Sequence, residues 1–270
     1  MKILWTTKEY GVWLDSPRDV DWLPDSQTFL ITEYRQTGGR VIEVNRAGEI
    51  VWDSRDKGGE FSFPLDADRL PQGTILIAEF GRVVEVTDAG DTVWELTGVL
   101  EPGDTEPTRL TTITDADRLD DGNTLIAESS RNRVIEVDKE GRVVWEYSKG
   151  LYSPEDADRL ENGNTLIVDG KNNRVIEVKR GGEMCWQQTG LGHPRDADRL
   201  PNGNILITDT DNKRIIEVDS AHRIVWEQTH LNYPYEADKL ELENEEIIIF
   251  AEAKTPDNYD QVVEIKVSAQ

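Results

Sequence analysis

The sequence predicts an all-β fold: a propeller of six four-stranded antiparallel blades forming one domain over residues 1–270. Three observations predict it. A phrase built on Asp-Ala-Asp returns six times, each return carries four short β patterns, and the strand missing from the last copy is found at the other end of the chain. The phrase reads Asp19-Val20-Asp21, Asp66-Ala67-Asp68, Asp115-Ala116-Asp117, Asp156-Ala157-Asp158, Asp196-Ala197-Asp198 and Glu236-Ala237-Asp238, with starts 47, 49, 41, 40 and 40 residues apart. Fixed periods of about 40 to 50 residues mark propellers and solenoids, and four strands per period mark propeller blades.

The fourth copy shows the elements most plainly. "DADRL" (156–160), "TLIVD" (165–169), "RVIEV" (174–178) and "EMCW" (183–186) are short β-branched runs separated by turn residues. Asn162-Gly163 joins the first two as a tight turn, because both residues accept positive φ at low cost, and Asn202-Gly203 and Asp121-Gly122 repeat it. No segment sustains a 3.6-residue apolar period, so almost no helix is expected. In the sixth copy "EADKL", "IIIFAE" and "VVEI" are followed by no Trp-ending strand, whereas Lys2-Ile3-Leu4-Trp5 matches Arg142-Val143-Val144-Trp145. The N-terminal strand, residues 2–6, is therefore expected to pair with the C-terminal blade, 236–266, and close the ring, which hides sheet edges.

Composition excludes several function classes. With 54 acidic and 30 basic side chains the net charge is -24, which repels nucleic acid and anionic membranes. Regular aliphatic runs argue against disorder, so the acid belongs to a folded shell of the kind that suits high salt, as does a basic set of 19 Arg and 11 Lys. Cys185 is the one cysteine, which rules out an intrachain disulfide. "MKILWTTKEYG" has no apolar core of a signal peptide, and no apolar run is long enough for a transmembrane helix. A cytoplasmic or virion-associated protein is expected.

The string "P-x-D-A-D-R-L-x-N-G-N-T-L-I-x-D-x-x-N-N-R-V-I-E-V" (154–178) resembles the NHL repeat in its Pro, Gly, second-strand Asp and "NNRV" spacing. It is also similar to the propellers grouped with arylsulfotransferases, whose blades carry like "D-x-D-x-L-x-N-G" and "G-x-x-x-W" elements. The "V-D-x-x-G-x-x-x-W" segment at 137–145 resembles quinone-cofactor propellers, which usually have eight blades. These resemblances cover the whole chain and imply fold far more than function. The arylsulfotransferase resemblance implies a funnel histidine as nucleophile with arginine support. His193 with Arg195 is the local match, with Arg18 as a further candidate, and the additional funnel histidines are missing.

In a ring of equivalent blades, recurrence marks framework and departure from it marks candidate function. Asp21, Asp68, Asp117, Asp158, Asp198 and Asp238 recur in all six copies. The economical reading is inter-blade Asp-Arg-Glu networks, or aspartates accepting backbone N–H groups. The alternative is an axial acidic ring holding Ca²⁺ or Mg²⁺; no other cofactor is expected. Loops are the variable part. The third-strand Val to fourth-strand Trp spacing is 8 throughout (Val44 to Trp52, Val218 to Trp226). On the opposite face the Trp-to-phrase spacing is 14 from Trp5 and Trp52 and 21 from Trp94, against 11, 10 and 10 later on.

Long loops thus gather on blades six, one, two and three, together with Tyr10, Trp13, Tyr34, Arg35, Phe61, Phe63, Arg109 and Tyr259, the aromatic and arginine residues typical of anchors and sugar platforms. Just before each phrase stand Arg18, Leu65, Thr114, Glu155, Arg195 and Tyr235, a different residue type in most blades. The expected function is non-catalytic binding of a protein or carbohydrate through this face. The alternatives are an arylsulfotransferase-like or NHL-lyase-like enzyme and a structural subunit of a larger assembly. Oligomeric state is left open.

Overall fold

The computed structural model describes residues 2–7, 9–35, 38–59, 61–242, 245–252 and 261–266; for 2–5, 35, 240–242, 245–252 and 264–266 the description is confined to the backbone. The chain forms six four-stranded antiparallel sheets and one two-stranded hairpin, Gly98–Val99 with Thr108–Arg109. Five sheets use consecutive strands. The sixth joins Pro234–Leu242, Glu245–Glu252 and Gln261–Lys266 to Lys2–Thr6, with Lys2 opposite Lys266. The first strands, Pro17–Leu23, Pro64–Arg69, Ile113–Arg118, Pro154–Arg159, Pro194–Arg199 and Pro234–Leu242, contact one another in sequence, and the last returns to the first. They surround a central axis, and each sheet is a blade radiating from it.

Blade four shows why these residues form these strands. Thr165–Asp169 is buried at every position because blades pack on both of its faces, so it reads as a continuous aliphatic run rather than an alternation. Met184–Gln188, the outermost strand, is mostly exposed. Gly163 has φ +82°, the left-handed conformation that the Asn-Gly turn requires. Regular helix is limited, among the described residues, to three 3₁₀ turns at Ser54–Lys57, Ser129–Arg131 and Gly170–Asn172.

The hydrophobic cores lie between blades. Leu125, Ala127 and Val134 of blade three pack with Ala157, Ile167 and Ile176 of blade four, and the other seams repeat the arrangement. Each fully buried aliphatic side chain contributes roughly 1.5–3 kcal/mol. A polar ladder runs beside these cores. The first carboxylate of each of the first five phrases accepts the N–H of the next blade's central alanine: Asp19 from Ala67 and Asp66 from Ala116 at 3.0 Å, and Asp115 from Ala157, Asp156 from Ala197 and Asp196 from Ala237 at 3.0–3.1 Å.

The phrase's basic residue reaches back to the third-strand glutamate of the preceding blade. Arg69 pairs with Glu43, Arg118 with Glu85, Arg159 with Glu136, Arg199 with Glu177 and Lys239 with Glu217, all at 2.6–3.0 Å. Trp52, Trp94 and Trp145 each donate Nε1–H to a carbonyl in the next blade, Asp88, Lys139 and Arg180. Blade one carries Trp22 in place of the arginine; it is buried against Phe29 and capped by the Arg46 guanidinium 4.7 Å from its ring centroid. The first acid and the basic residue of the phrase, with the third-strand glutamate, are thus inter-blade framework, whereas among the described residues no ion pair holds the second aspartate.

Candidate functional site

In all six inner strands the pairing register skips one residue at the same place: between Pro17 and Asp19, Pro64 and Asp66, Ile113 and Asp115, Pro154 and Asp156, Pro194 and Asp196, and Pro234 and Glu236. A bulge leaves one residue unpaired and re-aims its side chain. The skipped residues are Arg18, Leu65, Thr114, Glu155, Arg195 and Tyr235, and all six line one open axial pocket whose cavity is about 60 Å³. Asp19, Asp66, Asp115, Asp156 and Glu236 form the wall of the same pocket. Six local irregularities therefore converge on one funnel.

Within it the side chains form a continuous stack. The Tyr34 and Phe63 rings lie 4.2 Å apart between centroids. The Arg18 guanidinium sits 5.6 Å from Phe63 and 4.4 Å from Tyr235, and the Arg195 guanidinium lies 4.5 Å from that same Tyr235 ring. Arg195 Nη1 donates to Glu155 Oε2 at 3.3 Å, and His193 Nε2 lies 3.2 Å from Glu155 Oε1. Burial alone would raise the Glu155 carboxyl; the hydrogen bond from His193 and the charge of Arg195 outweigh it and hold the group below its ordinary value. Glu155 is therefore an anion at neutral pH.

Of the ten ligand candidates, Arg18, Glu155, Arg195 and Tyr235 line the pocket, and Tyr34 and Phe63 extend it. Three others lie elsewhere. Tyr10 packs on Gly48 in the turn between the third and fourth strands of blade one, where an added Cβ would fall 2.4 Å from the Tyr10 Cβ. Trp13 is 61% exposed and Arg109 belongs to the hairpin of the longest insertion, its carbonyl accepting from Arg131 Nη2; neither lines the funnel. The Arg35 side chain and Tyr259 lie outside the described residues. His222 stacks on Trp186 and His230 bonds Thr229, so of the three histidines only His193 stands at the mouth.

The axial aspartates are the residues the sequence offers for a cation. Among the described residues no group of three or more His, Cys, Asp or Glu side chains has the geometry to hold a metal ion. Asp21, Asp68, Asp117, Asp158, Asp198 and Asp238 belong to six separate inner strands, one to each blade, which distributes them around the channel. Burial, with mutual repulsion in most cases, raises their carboxyls, Asp117 and Asp238 to about 6 and the others well above the ordinary value. Protons can thus lower the repulsion of the ring.

Two features escape a reading of the phrases alone. In blades one to five an acid at or near the end of the second strand pairs with an arginine at or near the start of the third: Glu33 with Arg40, Glu79 with Arg82, Glu128 with Arg133, Asp169 with Arg174 and Asp209 with Arg214. The same acids accept an N–H from the incoming inter-blade loop, as Asp169 does from Tyr152 at 2.7 Å. The second feature is Gly170, where an added Cβ would fall 2.5 Å from Glu155 Cγ and 3.2 Å from His193 Cδ2. Ser129 and Thr210 occupy the equivalent place in the flanking blades. Aligning the residue after each second-strand acid would have exposed this glycine as the one position cleared for the Glu155–His193 pair.

Radiating four-stranded blades and a variegated axial mouth define the class: a β-propeller with a candidate site in its funnel. The chain belongs to the PQQ_2 family, described as outer membrane protein assembly factor BamB, which matches residues 4–228. No curated protein matches it. Among solved structures it is similar to a Bacteroides caccae protein of unknown function (TM-score 0.69, 19% identity, covering 89% of this chain and 90% of that one). It is also similar to the WD40 propeller domain of Doa1 (TM-score 0.69, 12% identity, 94% and 79%) and to Staphylococcus aureus virginiamycin B lyase (TM-score 0.63, 13% identity, 94% and 85%). At these identities the likeness is one of fold.

Proposed function

We propose that the chain is a non-catalytic binding propeller of six blades that recognises its partner at the funnel mouth, through Arg18, Tyr34, Phe63, Glu155, Arg195 and Tyr235. The observation that carries this reading is the sixfold bulge: one framework irregularity, repeated, delivers five different side-chain types to a single pocket. A structural need would be met by the same residue each time, as it is at the seams. The site centres on blades four, five, six, one and two, an arc shifted from the long-loop sector that sequence spacing favours.

The family description, an outer membrane protein assembly factor, favours a polypeptide over a carbohydrate as partner. The acidic composition favours working conditions of high salt and disfavours nucleic acid and anionic membranes as partners. Among the described residues no helix is long and apolar enough to cross a membrane. The test is cross-linked capture from the source cell with wild type and with a Tyr235→Ala variant. Loss of a specific partner supports the reading, and an unchanged partner profile overturns it.

One observation favours a second reading, an enzyme of the lyase or arylsulfotransferase-like kind. His193 is oriented by Glu155 at the edge of the funnel, an arrangement suited to proton transfer. Lyases are among the proteins of similar fold. Any turnover found would have to vanish in His193→Ala.

A further inference from the structure

The mouth layer of the funnel differs in charge from everything around it. Its six bulged residues include two guanidiniums, Arg18 and Arg195, and one carboxylate, Glu155, on a chain whose net charge is -24. Immediately adjoining are the carboxyls of Asp19, Asp66, Asp115, Asp156 and Glu236. A cation entering along the axis is opposed by the two guanidiniums at the mouth, whereas an anionic group is attracted there. The ionised Glu155 carboxylate beside Arg195 repels a dianion more than a monoanion.

Stacking settles how the arginines present themselves. Both guanidiniums lie against one tyrosine ring, 4.4 and 4.5 Å from its centroid, and a guanidinium resting on an aromatic face keeps its N–H donors in its own plane, the direction used for carboxylates. Arg195 Nε is buried without a hydrogen-bond partner, and its one contact with Glu155 is a long 3.3 Å. Its donors exceed the acceptors the protein supplies. The other side of the mouth carries Leu65, and Phe63 with Tyr34 continues the surface outward as two rings in tilted contact.

We infer that the funnel mouth takes a carboxylate carried on an apolar or aromatic body, the carboxylate meeting Arg195 beside Tyr235 and the body lying toward Leu65, Phe63 and Tyr34. This rests on the reading of the funnel as the binding site. Glu155 competes with such a ligand for Arg195, and the space at Gly170 lets it stay close to His193.

The experiment is calorimetry at moderate salt with 2-naphthoate, 2-naphthamide and 2-naphthyl phosphate, and with a tripeptide ending in tryptophan as free acid or amide. The peptide arm distinguishes a chain terminus from a free acid as the source of the carboxylate. The acid is expected to bind at least about tenfold more tightly than the amide, as a charge-assisted pair does, and the phosphate more weakly than the acid. Arg195→Gln should erase the preference for the acid. Glu155→Gln should strengthen acid binding about threefold, an effect that loss of structure cannot mimic.

Equal binding of acid and amide by the wild type, or weakening by Glu155→Gln, overturns the inference. Absence of binding by any probe overturns it too, while loss of the cellular partner in Tyr235→Ala would leave the funnel reading intact. Conversely, carboxylate binding that behaves as stated beside an unchanged partner profile sinks the funnel as the partner site and leaves the anion site standing.

Discussion

At the residue scale, charged groups in this protein fall into two kinds that look alike in one dimension. Arg174 and Asp169 are a framework pair: the carboxylate is fully buried and bonded to Arg174 at 2.7 Å, to Asn172 and to the Tyr152 N–H. Removing one partner of a buried pair strands the other, at a cost of about 3–5 kcal/mol. Arg174→Ala is expected to fall near the lower end, because two other donors remain, and Arg174→Ala combined with Asp169→Asn should recover part of the loss in a denaturant cycle. Asp158 behaves oppositely. Burial and the charges of Asp117, Asp196, Asp238 and Asp66 raise its carboxyl, so Asp158→Asn should stabilise the protein at pH 8 and do nothing at pH 4.5. The expected gain is about 1 kcal/mol, or roughly 2–4 °C in Tm for a chain of this size.

At the scale of the element, the inner strand combines a fixed part with a free one. Its paired residues hold the ladder and seams, while the bulged residue belongs to neither, which is why Arg18, Leu65, Thr114, Glu155, Arg195 and Tyr235 can differ. Leu65→Thr should therefore change stability by no more than about 1 kcal/mol, whereas Leu166→Thr on the fully buried second strand should cost about 2–4 kcal/mol. Urea unfolding of the two variants checks this, and equal losses would mean that the bulge residues are structural after all. The outer strands were legible from their Trp and their constant spacing. The bulge was not, because a skip in register is a relation between two strands and leaves no mark in either one.

For the molecule as a whole, the axial channel ties stability to pH and salt. Asp66 and Asp196 are raised to about 7, by burial first and by the neighbouring Asp117 and Asp238 charges, and Asp117 and Asp238 to about 6. In the unfolded chain they titrate near 4. The folded state therefore binds more protons between those values, and stability is fully present below about pH 4 for these groups and is lost as pH rises through 6 to 7. Glu136 and Glu217, held below their ordinary value by arginine, lysine and amide partners despite burial, act only on the acid side of this window. Tm in low salt is expected to be higher at pH 5.5 than at pH 8. Molar salt shortens the screening length to about 3 Å and should narrow the difference; a Tm that rises with pH, or a gap unmoved by salt, would refute this.

How much of this was legible depends on range. Sequence by itself determined the repeat, the four strands of each blade, the closing partnership of the two chain ends and the division of recurrent from variable positions, because blades repeat locally and packing on both faces demands aliphatic runs in register. It also placed Arg18, Leu65, Thr114, Glu155, Arg195 and Tyr235 together, since equivalent positions in a ring must be neighbours. Tertiary structure alone decided which of the exposed aromatics join them: Phe63 and Tyr34 stack toward the funnel while Tyr10 rests against Gly48. It alone decided that two arginines meet one tyrosine ring and that Gly170 clears room for Glu155. Those outcomes depend on loop path, stacking distance and free space between blades, quantities that arise only when strands far apart in the chain meet.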